Sequence, residues 1–246
     1  VIVIHFGRQV AHNRAVKDFV STVSHDLRSP LATVKLHLQT LEYRTLSPEQ
    51  QTLCLATALE ELNRLESGIE DILTASRVER GNLRLDKDPV ELADFLTSYC
   101  DDKGRMLSLH DAVLSWTPPQ TQRFKVRADP KLLRQMLDNL IDNALVHGPR
   151  GVKIDLGLSE RGGAAVIHVS DNGPGIVRSQ RKKIFRMFYR APGHRKHRKG
   201  TGLGLFIVAS IAKAHSGRAW VDSDGAGKGS TFHVAIPFAK EERNPS

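Results

Sequence analysis

Apolar residues recur with a helical period through the first third of the chain. In the first segment they alternate at spacings of four and three, which predicts one long helix from about Ala11 to Leu46. His25 lies off this stripe, Ser29 shares its face one turn later, and Asp26 is its neighbour in sequence. An exposed imidazole beside a carboxylate is either a nucleophile or an ordinary surface histidine. The stripe consists of Val16, Val20, Val23, Leu27, Val34 and Leu41, with Pro30 and His37 in its gaps.

A second long helix follows, and its start has a clear signature. Ser47 is the predicted N-cap, Pro48 the first helical residue, and Gln50 closes a capping box. The helix is expected to run to about Glu79 and to end at Gly81. Its apolar side carries Leu55, Leu59, Leu62, Leu65, Ile69, Ile72 and Leu73. Two such helices cannot bury both stripes against each other, so we expect a homodimeric four-helix bundle. The alternative is that they pack on the rest of the chain.

From Leu83 onward, short apolar runs replace the long stripes. A strand is predicted near Leu83 and Leu85. Further helices are predicted at 90–107, 131–147 and 201–215, and strands at 112–116, 124–127, 152–158, 164–170, 218–222 and 230–237. The strands arrive in hairpin-like pairs, which favours a mixed α/β sandwich over a doubly wound parallel sheet. The expected organisation is an upstream segment or linker helix (1–15), a helical hairpin (16–81), an α/β domain (82–240) and a tail (241–246).

Charge and composition narrow the functional classes. The chain has 246 residues and a formal net charge of +9. Much of the basic excess falls in two runs, at 178–183 and 194–199. A polyanionic nucleotide accounts for such runs, so no nucleic-acid partner is expected.

The cysteines and the first residues bear on location. Cys54 and Cys100 show no metal or redox spacing, which indicates a reducing cytosol. The apolar run at 1–4 is too short to span a bilayer. It could end a transmembrane helix or an upstream domain, so we expect a cytoplasmic portion, attached to a membrane through an upstream segment if at all.

Polar residues on the predicted 131–147 helix suggest a cation and phosphate site. Asn139 and Asn143 are four residues apart and share a face, which His147 extends by another turn. Neutral amides suit a hydrated Mg²⁺ ion and phosphate oxygens. Taken alone the pattern is weak, because many solvated helices carry asparagine pairs.

Three glycine-rich stretches extend this site. Residues 171–176 (DNGPGI) follow a strand, and the Asp171 carboxylate can accept a hydrogen bond from an amine such as that of adenine. Residues 200–205 (GTGLGL) precede a helix, whose N-terminus attracts phosphate. Residues 227–232 (GKGSTF) precede the last strand. A Rossmann fingerprint is excluded because Leu205 replaces its third glycine, and a P-loop is excluded by Gly229 and Asp222.

In this order, the motifs resemble those of the transmitter region of a sensor histidine kinase, over about residues 16–238. The stretch 24–31 matches the phosphoacceptor box and 139–148 the N box. The three glycine stretches match glycine boxes, and 184–190, with Phe185 and Phe188, matches the aromatic box. The resemblance implies ATP and Mg²⁺ as cofactors. It implies a homodimer and the receiver domain of a response regulator as partners.

The resemblance also implies residue roles. His25 would be the phosphoacceptor and Asp26 its acid/base group, with a possible phosphatase role for Ser29. Asn143 would hold Mg²⁺ with Asn139 close by, Asp171 would bind the adenine amine, and 190–200 would form the ATP lid. The other residues implied to border the nucleotide are His147, Gly173, Gly175, Arg190, Gly200, Thr201, Gly202, Leu203, Gly204 and Thr231.

Three positions depart from the family pattern. Val146 stands where a lysine is common, so a phosphate contact is missing or comes from His147 or the basic lid. Ser29 replaces the usual Thr or Asn, which leaves phosphatase activity less secure. Arg186 replaces a common acidic residue, and nothing in the sequence explains this change.

Two alternatives remain open. The first is a hydrolytic ATPase related to DNA gyrase and the mismatch-repair ATPases. Those enzymes typically carry a water-activating Glu where this chain has Asn139, which counts against it. The second is a degenerate kinase that serves as a dimeric scaffold, against which the intact Asn143 and Asp171 boxes argue.

Overall fold

The structure, a computed structural model, describes residues 27–107, 111–119, 123–190 and 201–239. These fall into two compact units. One contains residues 27–77 and 201–203, and the other contains the remaining described residues.

The first unit is a helical hairpin. Helix α1 covers residues 27–43 of the described chain, and α2 covers Pro48–Glu79. The predicted capping box is confirmed, because the Gln50 N–H donates to Ser47 Oγ (3.3 Å) and the Ser47 N–H donates to Gln50 Oε1 (3.0 Å). Gly81 has a φ of +69°, in the left-handed region that stops a helix. Both boundaries of α2 are therefore set locally by the sequence.

The two helices of the hairpin bury their apolar stripes unequally. In α1 the predicted stripe is confirmed from residue 27 onward, since Pro30 and Val34 are buried and Leu27, His37 and Leu41 are half-buried. The predicted apolar side of α2 remains largely exposed, with exposed Leu55, Leu59, Leu62, Ile69 and Leu73. Among the described residues no helix is long and apolar enough to cross a membrane.

The second unit is an α/β domain built on a mixed sheet. Its elements are β1 (Asp88–Glu91), α3 (Leu92–Leu107), β2 (Val113–Trp116), β3 (Lys125–Ala128), α4 (Pro130–His147), β4 (Lys153–Glu160), β5 (Ala164–Asp171), α5 (Gly204–Ala214), β6 (Arg218–Asp222) and β7 (Ser230–Pro237). The main sheet has the order β2-β4-β5-β7-β6, and β1 pairs with β3 separately. Only the β2–β4 pair of the main sheet is parallel, which confirms the expected mixed architecture.

Alternation along the strands separates the two faces of the main sheet. Ile167 and Val169 of β5 and Phe232 and Val234 of β7 are buried. The side chains between them, including His168 and His233, are half-buried on the other face. Helices α4 and α5 pack against each other and against strands of this sheet. They also build the site described below.

Three element predictions differ from the structure, one strand in its position and two helices in their first residue. The strand expected near Leu83 and Leu85 is absent from this described stretch, and β1 lies a few residues later. The next helix begins at Leu92, because Glu91 is held in the β1–β3 ladder and accepts the Phe124 N–H at Oε1 (2.7 Å). Helix α5 begins at Gly204 rather than Thr201, because Gly202 has a φ of +72°, which no right-handed helix accommodates.

Candidate functional site

Helix α4 presents the predicted amide face. Asp129 caps it, because its Oδ1 accepts the N–H groups of Lys131 (3.0 Å) and Leu132 (3.2 Å). The buried face consists of Leu133, Met136, Leu137, Leu140, Ile141 and Ala144. This apolar anchoring leaves Asn139, Asn143 and His147 half-buried on another face.

Asn139 lies against the first residue of α5. A Cβ placed on Gly204 would overlap Asn139 Oδ1, so the α5 backbone approaches this amide as closely as a glycine permits. The Asn139 Nδ2 donates to the Gln135 carbonyl (3.1 Å), which orients its oxygen. An amide oxygen and the N-terminus of a helix therefore meet at one point, and helix N-termini attract phosphate.

Asp171 is held by hydrogen bonds at both of its carboxylate oxygens. Oδ1 accepts the Gly173 N–H (2.8 Å), and Oδ2 accepts the Ser230 hydroxyl (2.6 Å). A Cβ on Gly173 would lie 2.5 Å from Asp171 Oδ1, so a larger residue would displace the carboxylate. Sequence reasoning missed Ser230, although it belongs to the last glycine stretch and pairs with Asp171 across β5 and β7.

The first and last glycine stretches are joined to each other. The Gly229 N–H donates to the Gly173 carbonyl (3.1 Å), and the Gly227 N–H donates to the Pro174 carbonyl (2.6 Å). Gly175 has a φ of +71°, and a Cβ there would overlap the Gly225 carbonyl. The turn that follows Asp171 therefore has a fixed conformation.

Ser223 supports this pair of loops, a role that no motif in the sequence indicates. Its hydroxyl donates to the Gly229 carbonyl (2.6 Å) and accepts the Ile176 N–H (2.9 Å). Arg181, from the first basic run, donates to the Ser223 carbonyl. Contacts over more than 40 residues of sequence are not visible in a local pattern.

The aromatic box and Thr231 lie next to these loops in the chain. The rings of Phe185 and Phe232 meet edge to face with centroids 6.3 Å apart. The Thr231 hydroxyl lies 2.9 Å from that of Ser170, which directly precedes Asp171. Arg190 is half-buried at the end of a described segment.

Helix α4 connects the contact between Asn139 and Gly204 with the loop that follows Asp171. Gly148 directly follows α4, and a Cβ on Gly173 would lie 3.6 Å from its Cα. Nine residues of helical rise from Asn139 to Gly148 span roughly 13 Å. One helix thus has the α5 N-terminus at its middle and the Asp171 loop at its end.

Several predicted site residues fall elsewhere. His25, Asp26 and Gly200 lie outside the described residues. Thr201, Gly202 and Leu203 belong to the first compact unit, where the Leu203 N–H donates to Thr201 Oγ1 (3.3 Å). Ser29 lies in α1, and its carbonyl accepts the Thr33 hydroxyl (3.2 Å).

The residues near α4 suit a cation that arrives with its own anionic ligands. Among the described residues, no group of three or more His, Cys, Asp or Glu side chains could hold a metal ion. The amides of Asn139 and Asn143 are neutral oxygen donors, which fit Mg²⁺ that is already bound by substrate phosphates. In the described segment 177–190, Arg178, Lys182, Lys183 and Arg186 are exposed and no carboxylate occurs.

Family models match both parts of the chain. Residues 15–81 match the His Kinase A (phospho-acceptor) domain. Residues 128–240 match the histidine kinase-, DNA gyrase B-, and HSP90-like ATPase domain, which covers α4 and the glycine loops. The α/β domain is therefore an ATP-binding domain of that class.

Two similar proteins align with most of this chain. Sensor protein IrlS of Burkholderia pseudomallei is 32% identical over 90% of this chain and 47% of its own length. Sensor histidine kinase WalK of Bacillus subtilis is 29% identical over 93% of this chain and 38% of its own length. The chain thus spans less than half the length of these two relatives.

A solved structure agrees with this result. Full-length ShkA in complex with AMPPNP aligns with a TM-score of 0.60 and 28% identity, over 89% of this chain and 45% of that one. With the phosphoacceptor and ATP-binding domains in one chain, the protein belongs to the sensor histidine kinases of two-component systems and comprises the transmitter region of that family.

Proposed function

We propose that this chain, as a homodimer, transfers the γ-phosphoryl group of ATP to His25 and then to an aspartate of a response regulator receiver domain. The arrangement along α4 supports the proposal most directly. The helix connects a fixed carboxylate at Asp171 with an amide and a helix N-terminus at Asn139 and Gly204. A nucleotide needs the same two kinds of contact, one for its base and one for its phosphates.

Adenine would bind at the Asp171 end. The Ser230 hydroxyl and the Gly173 N–H hold the carboxylate, which can accept a hydrogen bond from the exocyclic amine of adenine. Guanine has a carbonyl oxygen at the equivalent position of its ring, so it would face the carboxylate with an acceptor. This gives a physical reason for a preference for ATP over GTP.

The phosphates would lie at the Asn139 end. Asn143 and Asn139 would hold the Mg²⁺ ion, which would neutralise phosphate charge during transfer. The N–H groups at the start of α5 would bind phosphate oxygens, together with His147 and Arg190. The site lacks the common lysine, since position 146 is Val, and we expect His147 or the basic lid at 190–200 to supply the positive charge instead.

The transfer itself would follow from the family chemistry. A ring nitrogen of His25 would attack the γ-phosphorus, forming an N–P bond while the bond to the β,γ-bridging oxygen breaks. ADP would leave with that electron pair, and Asp26 would accept the proton from the other ring nitrogen. An aspartate of the receiver domain would then take the phosphoryl group, and Ser29 could position water for its later removal.

The proposed domain boundaries are 16–81 for the phosphoacceptor hairpin and 82–240 for the ATP-binding domain. The exposed leucines of α2 support a dimeric four-helix bundle as the form of the hairpin. Any membrane attachment would lie in an upstream segment, and the portion described here would be cytoplasmic.

Labelling with γ-phosphate-labelled ATP and MgCl₂ tests the assignment. We expect an acid-labile, base-stable label on the wild-type chain, and none on His25→Ala or Asn143→Ala. His37→Ala is the matched control, because it removes another histidine of the same predicted helix, and it should keep the label. Label on serine or threonine, or label on His25→Ala, would refute the assignment.

The same variants separate the alternatives. If the chain is a hydrolytic ATPase, the His25→Ala variant should still release inorganic phosphate from ATP at the wild-type rate. A scaffold would carry no label and bind no ATP analogue. Asp171→Asn should weaken binding of the analogue by at least about tenfold, since it loses a charged acceptor.

A further inference from the structure

His215 is a buried histidine for which the proposed reaction has no role. It directly follows α5 and is 3% exposed. Its Nδ1 lies 2.9 Å from the Ile211 carbonyl oxygen, and its Nε2 lies 3.0 Å from the backbone nitrogen of Asp129. Both ring nitrogens therefore face backbone groups of fixed polarity.

These two partners determine the protonation state of the ring. A carbonyl oxygen can only accept, so Nδ1 carries a hydrogen. A backbone N–H can only donate, so Nε2 is the bare acceptor. A second proton on His215 would set two donors against each other and break the bond to Asp129.

The charged groups around the ring are Asp129 and Lys87. Burial is the main cause that lowers the pKa of His215, and Lys87 adds to it, while the Ile211 carbonyl and Asp129 act in the opposite direction. The ring therefore stays neutral at neutral pH.

Asp129 is itself a junction. Its Oδ1 caps α4, and its Oδ2 accepts the Asp86 N–H (3.0 Å). His215 adds the end of α5 to this junction. The start of α4 and the end of α5 are consequently linked by a hydrogen bond between buried groups.

A second contact joins the same two helices at the candidate phosphate site. Asn139 lies ten residues after Asp129, and Gly204 lies eleven residues before His215. The two contacts therefore fix one antiparallel register of α4 and α5. A slip of α5 would remove its N-terminus from Asn139.

We propose that His215 is a positioning residue for nucleotide binding: its neutral imidazole holds α5 in the register that places the α5 N-terminus against Asn139. This inference rests on the proposed function, in which the Asn139 amide and the α5 N-terminus at Gly204 bind the phosphates of ATP.

Two substitutions separate the hydrogen bond at Nδ1 of His215 from the hydrogen bond at Nε2. His215→Gln can place an amide oxygen near the Nε2 position and so keep an acceptor for the Asp129 N–H. His215→Asn can keep a donor near Nδ1 for Ile211 but leaves the Asp129 N–H without its acceptor. We expect the Kd of the full chain for AMPPNP with MgCl₂ at pH 7.5 to rise by about tenfold or more in His215→Asn, and by less than about threefold in His215→Gln, since an unsatisfied buried donor is costly.

The pH profile distinguishes positioning from a general structural role. As the pH falls from 7.5 to about 4.5, well below the ordinary histidine pKa of about 6.5, the wild-type affinity should fall relative to that of His215→Gln, because the glutamine cannot be protonated. His168→Gln, in the same domain but without contact to this junction, should keep the wild-type profile. Equal pH dependence of the wild type and His215→Gln would overturn the proposal, as would wild-type affinity in His215→Asn.

A measurement on the wild-type chain covers the case in which His215→Asn fails to fold. Nitrogen-15 spectra should show His215 with the proton on Nδ1 and a bare Nε2 at pH 7, and a doubly protonated ring there would refute the proposal. If the wild-type chain binds no AMPPNP, the proposed function fails together with this inference. If it binds and both variants match it, this inference alone fails.

Discussion

The hairpin and the α/β domain contain similar apolar residues but differ in how far they bury them. On α2 of the hairpin, Leu59 is 60% exposed, whereas Leu140 on α4 of the domain is 1% exposed. A sheet with helices packed against it can enclose a core within one chain. Two helices can cover only one stripe of each other. The domain therefore completes its own core, and the hairpin needs a partner surface.

The largest effect should come from charging the exposed side of α2. With Leu59→Glu and Ile69→Glu combined, the dimer should lose roughly 3–6 kcal/mol or more of association free energy. Four side chains are affected in the two protomers, each is about half exposed in the single chain, and each would lose about half of the ~1.5–3 kcal/mol that full burial contributes. Sedimentation equilibrium would detect the resulting monomer. Leu53→Glu is the control, since Leu53 is 66% exposed and lies on the opposite side of α2. Dimers that persist in the double variant would show that this side is not the interface.

A cavity in the core of the domain should come next. Leu140→Ala should lower the free energy of unfolding by about 2–5 kcal/mol, as expected for a buried leucine. Urea denaturation would measure this loss, and the dimer should persist. Val113→Ala removes methyl groups from a side chain that is 53% exposed, and its cost should stay below about 1 kcal/mol. Equal costs at the two sites would contradict the contrast in burial.

Removal of the N-cap of α2 tests the stability of the hairpin while leaving its apolar side chains unchanged. Ser47→Ala should cost about 0.5–2 kcal/mol, because the Gln50 N–H loses its acceptor. Ser47→Gly should cost a few tenths of a kcal/mol. Thermal unfolding followed by circular dichroism would compare the two. A larger loss for glycine than for alanine would exclude the capping explanation.

The smallest effect concerns the histidine pair on the other face of the sheet. His168 Nδ1 and His233 Nδ1 are 2.7 Å apart. Burial chiefly lowers the pKa of both rings; His233 lowers that of His168 further, and Asp222 partly opposes the shift at His233. The neutral rings therefore contribute stability above about pH 6.5, the pKa of an unfolded histidine, and this is lost as the pH falls through the lower folded pKa values.

Thermal unfolding between pH 8 and 5 would measure this contribution. His168→Gln should show a shallower acid loss than the wild type, and Lys153→Gln, on the neighbouring strand β4, should follow the wild type. Solvent screening of two half-exposed rings keeps the effect small. A steeper acid loss in His168→Gln would show that the pair is stabilised by protonation.

The sequence predicted features that depend on neighbouring residues. Ser47, Gln50 and Gly81 set the ends of α2 through local contacts, and the amide face of α4 follows from helical spacing. The sequence predicted a strand near Leu83 and Leu85 rather than at β1. Pro89 and two acidic residues give β1 little strand propensity, and its pairing with β3 is non-local.

Long-range partners of the site could not be predicted. The Ser223 hydroxyl reaches Ile176 across 47 residues, and His215 reaches Asp129 across 86. A serine or histidine in such a position looks the same in sequence whether it supports a loop or faces solvent. The glycine stretches indicated where the loops are, but they left open which side chains hold them.

The positions of the two tryptophans allow the α/β domain to be followed by fluorescence separately from the hairpin. Trp116 and Trp220 are the two tryptophans of this chain, and both lie in the α/β domain. Trp220 stacks on His233 with ring centroids 4.9 Å apart, while Trp116 Nε1–H donates to Thr97 Oγ1 (3.0 Å). Tryptophan fluorescence, excited selectively over that of Tyr43 in the hairpin, thus reports on the ATP-binding domain alone. A fluorescence signal that stays constant while helical ellipticity is lost would record the opening of the hairpin by itself.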